Sequence, residues 1–507
     1  MTRHCIPPFR RIRANLPCVF AATLAAWILV TSTALGQSSS KQQQELTRLD
    51  ALFQKFMADN HVPGLVYGVV FDGKVMQLHA FGIRDVKNNA PVESDTAFRI
   101  ASMSKQFTAL ATLRLRDAGK LSLDAPAEKY VPELLKIHYP TSDSPKITVR
   151  DLMSHAAGFV TDDPWGDRQL DTPPDEFSRF VAGGVPFARA PGVAWEYSNF
   201  GFALMGRVVG NVSQSSYSAY ITSSIFQPLG MTHTGWDINA AGSRAIGYRW
   251  ENDGWIEEPA LGPGEYGAMG GVITTAPDYG RYVAWVLSAW PPRDGAEDNI
   301  VRRASIREIT RPANFAAVMA PDDPGGCARS RAYGYGMNAF NDCILGFHFG
   351  HSGGLPGYGS NVVFIPSRGL GVYAFTNRTY APVSRAVRDA ANSLVRSGAF
   401  PERPQPLSPA LAEVAKVVER VFVAGDVGVA RDLLAENVLL DESAAARNSQ
   451  IAELKQRYGE CKLAESQRSD SAMSATLVLG CDGGRLEVKV ILAPTTPTSV
   501  QTLEFAP

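Results

Sequence analysis

Phe98-Arg99-Ile100-Ala101-Ser102-Met103-Ser104-Lys105-Gln106-Phe107-Thr108-Ala109 is the stretch around which the rest of this 507-residue chain is organised. From Lys105 onward, apolar residues recur near helical spacing, and Gly119 stands where a C-terminal cap would end the helix. If Ser102 opens that helix, its hydroxyl and the amine of Lys105 lie three residues apart on one face.

A serine next to a lysine on a helix face has a specific chemical use. A serine hydroxyl is a weak nucleophile at neutral pH and needs a nearby base or a favourable field. A helix N-terminus supplies partial positive charge, and a desolvated lysine one turn on can hold or relay the proton. The four-residue pattern is short, however, and Ser38-Ser39-Ser40-Lys41 is a second copy. It therefore needs support from the rest of the chain.

Length and composition indicate a soluble protein of two or more domains. The chain is 45% hydrophobic and 20% charged, with a net charge of -1. A charge so near zero gives no reason to expect nucleic-acid or acidic membrane partners. No Cys-x-x-Cys, His-Glu-x-x-His or calcium-loop spacing occurs, so neither a metal site nor a cofactor is expected.

Residues 1–36 are typical of a secretory signal peptide. Four arginines precede an apolar run from Leu16 to Val30, and small residues lead to a predicted cleavage site after Gly36. The run is short for a membrane span, so a membrane anchor is the less favoured alternative. We expect a secreted or periplasmic protein with no stable membrane span after cleavage, and a flexible N-terminus over residues 37–45.

Cysteine usage agrees with export. Cys5 and Cys18 leave with the signal peptide, and four cysteines remain: Cys327, Cys343, Cys461 and Cys481. In an oxidising compartment an even number is interpreted as disulfides. Proximity along the chain favours pairing the first with the second and the third with the fourth, although three pairings are possible.

Residues 46–397 read as one α+β domain. We predict helices over Leu46–Met57 and Ala381–Leu394, a hairpin turning at Asp72-Gly73, and four strands from Gly334 onward. The predicted strands are Tyr335–Phe340, Phe347–Gly350, Asn361–Phe364 and Gly371–Asn377. They would form an antiparallel sheet that the two helices cover.

A second domain follows a proline-rich stretch. Residues 398–410 contain Pro401, Pro404, Pro406 and Pro409 and are predicted to be a linker. Residues 411–507 show helical patterns first and strand patterns after them, which predicts a small α+β accessory domain. No catalytic constellation is present in it.

Two further short motifs follow Ser102 along the chain. Tyr197-Ser198-Asn199 offers a phenol that can serve as a base beside a cation and an amide that can hold a lysine. Taken alone, however, the motif is better explained by a packed tyrosine and a turn asparagine. His351-Ser352-Gly353-Gly354 ends in glycines that let backbone N–H groups approach a ligand. His233 and His348 also begin a His-x-Gly pattern, but only His351 precedes Gly-x-Pro-Gly. His155 is expected to form structural hydrogen bonds.

The three motifs, in this order, resemble the serine β-lactamase-like family, in the branch of class C β-lactamases, D-alanyl-D-alanine carboxypeptidases, D-aminopeptidases and β-lactamase-fold esterases. The resemblance covers residues 46–397. Six blocks around the motifs carry it: 98–109, 147–158, 191–201, 228–231, 270–278 and 351–357. It implies a β-lactamase/transpeptidase-like fold, in which helices and an all-helical subdomain flank an antiparallel sheet. The C-terminal module loosely resembles NTF2-like accessory domains.

The resemblance also implies a role for each motif residue. Ser102 would attack a carbonyl and become acylated, while Lys105 and Tyr197 exchange its proton, with Tyr197 the favoured base. Asn199 would bind Lys105 and the substrate amide. Gly353 and Gly354 would contact substrate, with the N–H groups of Ser102 and Gly354 as the oxyanion hole. His351 stands where class C β-lactamases have lysine, and a neutral imidazole suits a substrate carboxylate less well.

The sequence thus predicts a secreted serine hydrolase that acts on small esters or D-amino-acid-containing peptides, with slow β-lactam hydrolysis as an accompanying activity. One alternative is a penicillin-binding DD-carboxypeptidase. The other is a catalytically silent binding protein on the same scaffold. Loop shape sets the substrate pocket, so the sequence leaves open the natural substrate, the oligomeric state and the role of the C-terminal domain.

Overall fold

A computed structural model describes residues 21–506 except 322–325, 404 and 466, with side chains from residue 40 onward. The chain forms two compact units, the first ending at Pro401 and the second beginning at Glu402. This boundary falls inside the stretch predicted to be a linker. Residues 1–20 of the predicted signal peptide lie outside the described residues.

A nine-stranded antiparallel sheet forms the centre of the first unit, in the order β3-β2-β1-β13-β12-β11-β10-β9-β8. Two short two-stranded sheets, β4-β7 and β5-β6, lie outside it. The strands are β1 (Gly64–Phe71), β2 (Lys74–Asp85), β3 (Ala90–Pro91), β4 (Phe98–Arg99), β5 (Tyr248–Glu251), β6 (Gly254–Glu257), β7 (Ile273–Thr274), β8 (Asn314–Met319), β9 (Arg329–Tyr333), β10 (Asn338–Asp342), β11 (Gly346–Leu355), β12 (Tyr358–Ile365) and β13 (Leu370–Thr376).

Helices cover this sheet and form a helical region beside it. They are α1 (Ala21–Asp59), α2 (Lys105–Asp117), α3 (Val149–Met153), α4 (Pro174–Ala182), α5 (Asn199–Ser213), α6 (Tyr217–Ile221), α7 (Gly267–Gly270), α8 (Ala276–Leu287), α9 (Arg303–Glu308) and α10 (Val383–Arg396). Single 3-10 turns include Ala101–Ser104 and Gly166–Arg168. Within the described residues, no helix has both the length and the apolar character needed to cross a membrane.

The central strands are buried on both faces, and alternate residues enter two separate cores. On β1, Leu65 and Tyr67 join the core formed with α1 and α10, whereas Val66 and Val70 join the core formed with α2, α5 and α8. Side chains alternate across a strand, so one apolar run serves both layers. This arrangement confirms the predicted fold class, an antiparallel α+β sheet flanked by helices.

Two sequence predictions about the first unit are wrong. Residues 37–45 were expected to be flexible, but they continue helix α1, and Gln42 Nε2 donates to the carbonyl oxygen of Ala399 at 3.0 Å. The four later strands of the sheet were expected from Gly334 onward, but two further strands, β8 and β9, precede that residue. Arg329–Tyr333 carries charges and few apolar residues, which concealed its strand character.

The described residues of the second unit form three α-helices and a five-stranded antiparallel sheet. The strand order is β14-β16-β17-β18, with β15 paired to β16. Its elements are α11 (Pro409–Ala424), α12 (Glu436–Asp441), α13 (Ala444–Tyr458), β14 (Cys461–Leu463), β15 (Arg468–Ser471), β16 (Ser474–Cys481), β17 (Gly484–Leu492) and β18 (Val500–Ala506). The disulfides are Cys327–Cys343 and Cys461–Cys481, the pairing that chain proximity favours.

Candidate active site

Ser102 lies in a 3-10 turn directly before helix α2, rather than in the first turn of the α-helix as the sequence suggested. The α-helix begins at Lys105. Ala101 has a φ of 50°, a left-handed conformation that reverses the chain just before the serine. The hydroxyl of Ser104 donates to the carbonyl oxygen of Ala101 at 2.7 Å and fastens the turn.

Two predicted catalytic side chains converge on the serine oxygen. Lys105 Nζ donates to Ser102 Oγ at 2.9 Å, and the hydroxyl of Tyr197 donates to the same oxygen at 2.8 Å. Lys105 is fully buried and also donates to Asn199 Oδ1 at 2.7 Å and to the carbonyl oxygen of Met269 at 3.0 Å. All three ammonium donors therefore have acceptors, which holds the amine against the serine.

The surroundings shift the pKa values of the two candidate bases, Lys105 and Tyr197, in opposite directions. Burial lowers the pKa of Lys105 to about 8, although the charges of Asp163, Asp167 and Asp162 act to raise it. Desolvation raises the pKa of the Tyr197 phenol well above its usual value. A neutral amine is thus accessible near neutral pH and a phenolate is not. The pKa shifts make Lys105 the easier of the two groups to deprotonate. The family resemblance had favoured Tyr197 as the base.

Asn199 begins helix α5 and is held from two sides. Asp162 accepts from the backbone N–H groups of Asn199 at 2.6 Å and Phe200 at 2.8 Å, where a helix N-terminus leaves donors unpaired. The side-chain Nδ2 of Asn199 donates to Asp163 and, at 3.3 Å, to Asp167. The residue is fully buried, so the predicted contact with a substrate amide is not supported. Its contact with the lysine is present.

His351 supplies a neutral imidazole to the site. Its Nδ1 donates to the carbonyl oxygen of Ser352, so Nε2, which lies 3.0 Å from the hydroxyl of Tyr333, accepts. Burial and the nearby lysine charge lower the pKa of His351 to about 3. His348 instead contacts the carbonyl oxygen of Gly346, and neither it nor His233 lines the site.

The two glycines after His351 have different surroundings. A Cβ at Gly353 would collide with the carbonyl oxygen of Ile100, so glycine is what allows β11 to pack against the serine turn. Gly353 does not line the cavity, and the predicted substrate contact is not supported for it. Gly354 does line the cavity, together with Ser102, as an oxyanion hole formed by both would require.

His155 supports the site from behind. Its Nδ1 accepts from the backbone N–H of Ser198 at 3.2 Å, and its ring lies 4.4 Å from the ring centres of both Tyr197 and Tyr333. Burial lowers its pKa well below the usual value. These contacts agree with the structural role expected from the sequence.

The serine opens into a cavity of about 640 Å³. The sequence interpretation missed several of the side chains that line it, among them Asp163, Asp167, Trp195, Arg331 and Tyr380. The two aspartates lie in a segment rich in Asp, Pro and Gly that reads only as a loop. Arg331 and Tyr333 are two residues apart, the spacing of one strand face, and this was the signal available for them.

Comparison with known proteins agrees with this geometry. A family described as Beta-lactamase matches residues 49–396. Protein flp of Staphylococcus aureus strain MRSA252 is 26% identical over 71% of this chain and 67% of its own length. Esterase EstB of Burkholderia gladioli is 28% identical over 68% of this chain and 94% of its own.

A solved structure shows the same fold over more of the chain. The octameric penicillin-binding protein homologue from Pyrococcus abyssi aligns with a TM-score of 0.57 and 21% identity, covering 91% of this chain and 99% of that one. At that identity the likeness shows the fold alone. The family match covers more than half of the sequence, and the chain therefore belongs to the Beta-lactamase family, the serine hydrolase family of the β-lactamase fold.

Proposed function

We propose that this protein hydrolyses small esters or D-amino-acid-containing peptides through an acyl-enzyme on Ser102. One observation carries the proposal. Ser102 Oγ accepts from Lys105 Nζ at 2.9 Å and from the hydroxyl of Tyr197 at 2.8 Å, and the serine opens into a cavity. A nucleophile within hydrogen-bonding reach of its base is the arrangement that covalent catalysis requires.

Acylation begins with neutral Lys105. Ser102 Oγ forms a bond to the substrate carbonyl carbon while its proton passes to Lys105 Nζ. The carbonyl oxygen becomes an oxyanion, which the backbone N–H groups of Ser102 and Gly354 stabilise, each donor contributing about 3 kcal/mol. The bond to the alcohol or amine then breaks, and the departing atom takes the proton by way of the hydroxyl of Tyr197.

Deacylation repeats these steps with water. Lys105 accepts a proton from the water molecule as its oxygen bonds to the acyl carbon. The bond from that carbon to Ser102 Oγ then breaks, and the serine oxygen regains a proton from Lys105. The products are a carboxylic acid and the alcohol or amine, and both residues return to their starting protonation states.

An ester substrate is supported by the similarity to esterase EstB, which is 28% identical. It is also supported by His351, whose low pKa of about 3 leaves the third motif without the permanent cation of class C β-lactamases. We therefore expect β-lactam hydrolysis to be slow. Cleavage of an acyl-D-Ala-D-Ala peptide is the competing activity, and it predicts that the peptide outperforms esters.

The decisive experiment is hydrolysis of 4-nitrophenyl butyrate by the protein from Gln37 onward and by its Ser102→Ala variant. We expect activity that falls at least about 1,000-fold in the variant. Ser367→Ala removes the same hydroxyl from an exposed turn and serves as the control. Absence of activity in every protein, repeated with acyl-D-Ala-D-Ala and penicillin, would favour the silent scaffold.

We also propose export, with cleavage after Gly36. Two disulfides support an oxidising compartment, because such bonds persist outside the reducing cytosol. N-terminal sequencing of the protein from the extracytoplasmic fraction should begin at Gln37. An intact Met1 would contradict this proposal.

A further inference from the structure

Arg331 places a positive charge in the cavity that contains Ser102. It lies on β9, next to β10, with Arg331 opposite Phe340 in the register. Its half-buried side chain lines the cavity together with Ser102, His351 and Ser352. Of the described residues that line this cavity, Arg331 is the only lysine or arginine.

The guanidinium is oriented without being neutralised. Its Nε donates to Asn338 Oδ1 at 2.8 Å, and its central carbon lies 4.9 Å from the centre of the Trp195 ring. An amide and an indole hold the group in place, and neither carries a charge. A guanidinium has five N–H donors, so most of them remain for a ligand.

No carboxylate within the described part of the chain pairs with Arg331, and the groups that act on its charge are the phenols of Tyr333 and Tyr197. Burial accordingly lowers its pKa. A cation removed from water without a counter-ion is unfavourable. A fixed, partly desolvated and unpaired arginine is a strong receptor for an anion, because binding restores the missing partner.

The other basic residues near the serine are not available to bind an anion. His351 occupies the position of the third-motif lysine, but it is neutral. Lys105 is fully buried, and its amine donates to Ser102, Asn199 and the carbonyl oxygen of Met269. A charge for substrate recognition is therefore available from β9 and not from the motif residues.

We propose that Arg331 binds a carboxylate of the substrate, so that this hydrolase prefers carboxylate-bearing esters or peptides over their neutral counterparts. The inference rests on the proposed acyl-enzyme function and narrows its substrate class. The planar guanidinium matches a carboxylate through two parallel N–H donors. Asp163 and Asp167 line the same cavity and repel an anion, which confines the carboxylate to the Arg331 side.

The carboxylate can belong to the leaving group or to the acyl group, and two substrate pairs separate these cases. For the leaving group, 3-acetoxybenzoate is compared with 3-acetoxybenzamide. For the acyl group, mono-4-nitrophenyl succinate is compared with its methyl ester. We expect the anionic member of at least one pair to have the higher kcat/KM, and Arg331→Gln to reduce that preference about 10- to 100-fold.

Two variants make the kinetic result specific. Arg331→Lys keeps the charge but loses the planar pair of donors, so its preference should fall between those of wild type and Arg331→Gln. Arg179→Gln removes an equal charge from the exposed surface of α4 and should keep the full preference. An unchanged anionic-to-neutral ratio in Arg331→Gln, for both pairs, would overturn the proposal.

Binding measurements separate this inference from the proposed function. Calorimetric titration of 3-acetoxybenzoate and mono-4-nitrophenyl succinate into Ser102→Ala requires no turnover. We expect either anion to bind at least about tenfold more tightly than its neutral partner, and this difference to disappear in the double variant with Arg331→Gln. If no ester is hydrolysed but this difference is present, the catalytic proposal fails and the Arg331 assignment stands. Equal binding of anionic and neutral ligands would reject the assignment.

Discussion

Lys105 Nζ lies 2.7 Å from Asn199 Oδ1, and Asn199 donates from its other amide atom to Asp163 and Asp167. The amide therefore connects the buried amine to the aspartates that act on its charge. Burial lowers the pKa of Lys105 to about 8, and the negative charges of the aspartates beyond the amide act to raise it. The protonation state of Lys105 consequently depends on groups that do not touch it.

We expect the pH dependence of ester hydrolysis to report Lys105. Only the neutral amine accepts the Ser102 proton, so kcat/KM should rise with pH, with a midpoint near 8, and level off above it. A pH profile from 5 to 10 with 4-nitrophenyl butyrate, corrected for spontaneous hydrolysis, measures this midpoint. A rate that keeps rising through pH 10 would instead indicate Tyr197 as the base.

Asp167→Asn should move that midpoint to lower pH. The negative charge of Asp167 raises the pKa of Lys105, and its removal makes the amine easier to deprotonate. Asp167 itself has a pKa raised to about 7, chiefly by burial, so the difference between the two proteins should be largest above pH 7. Asp175→Asn, on the exposed surface of α4, is the matched control and should leave the midpoint in place.

Tyr197→Phe should lower kcat about 100- to 1,000-fold with little change in KM. The hydroxyl contacts Ser102 Oγ, so its loss removes a proton path and leaves the substrate cavity nearly unchanged. Tyr333→Phe deletes the same group beside His351 and should lower kcat less than about tenfold. Equal losses in the two variants would show that the Tyr197 hydroxyl has no special place in catalysis.

His351→Lys should not create a β-lactamase. The new amine would be buried beside Lys105 and would leave the hydroxyl of Tyr333 without its imidazole acceptor. An uncompensated buried charge is expected to lower the free energy of unfolding of the first unit by about 3 kcal/mol. Calorimetry and hydrolysis of a chromogenic cephalosporin test this, with His351→Gln as the neutral control. A lysine variant as stable as the glutamine variant would contradict the argument.

Asp162→Ala should weaken both the fold and the site. The carboxylate accepts from the N–H groups of Asn199 and Phe200, and losing such a cap costs about 1 to 2 kcal/mol. Because Asn199 holds Lys105, kcat should fall as well. Asp162→Asn keeps one acceptor oxygen, so its stability and its kcat should lie between those of the wild type and those of Asp162→Ala. A shift in melting temperature without loss of kcat would separate helix capping from catalysis.

Much of the fold was predictable because it depends on local patterns. The hairpin of β1 and β2 turns at Asp72-Gly73, where Asp72 has a φ of 47° and Gly73 of 78°, as the sequence pair suggested. Strands β12 and β13 were found within a few residues, since they are apolar and separated by a clear turn. Helix α10 was found because its buried apolar residues recur at helical spacing.

The candidate site was predictable only where a motif fixed the residue type. Ser102, Lys105 and Tyr197 do meet, at hydrogen-bonding distances. Asn199 and Gly353 were assigned to substrate, but burial and close packing exclude them from the cavity. These facts depend on contacts between distant segments, which spacing along the chain does not contain. Arg331 was missed for the same reason, since only the pairing of β9 with β10 brings it to the cavity.

The pairing of β1 with β13 has a consequence for biosynthesis. Leu65 is opposite Thr376, so the central strand leaves the ribosome long before its partner exists. Until Thr376 is made, β1 exposes an edge that can pair with other chains, and the sheet cannot close. A prematurely terminated product would contain Ser102, Lys105 and Tyr197 and still be a target for proteases rather than a weak enzyme.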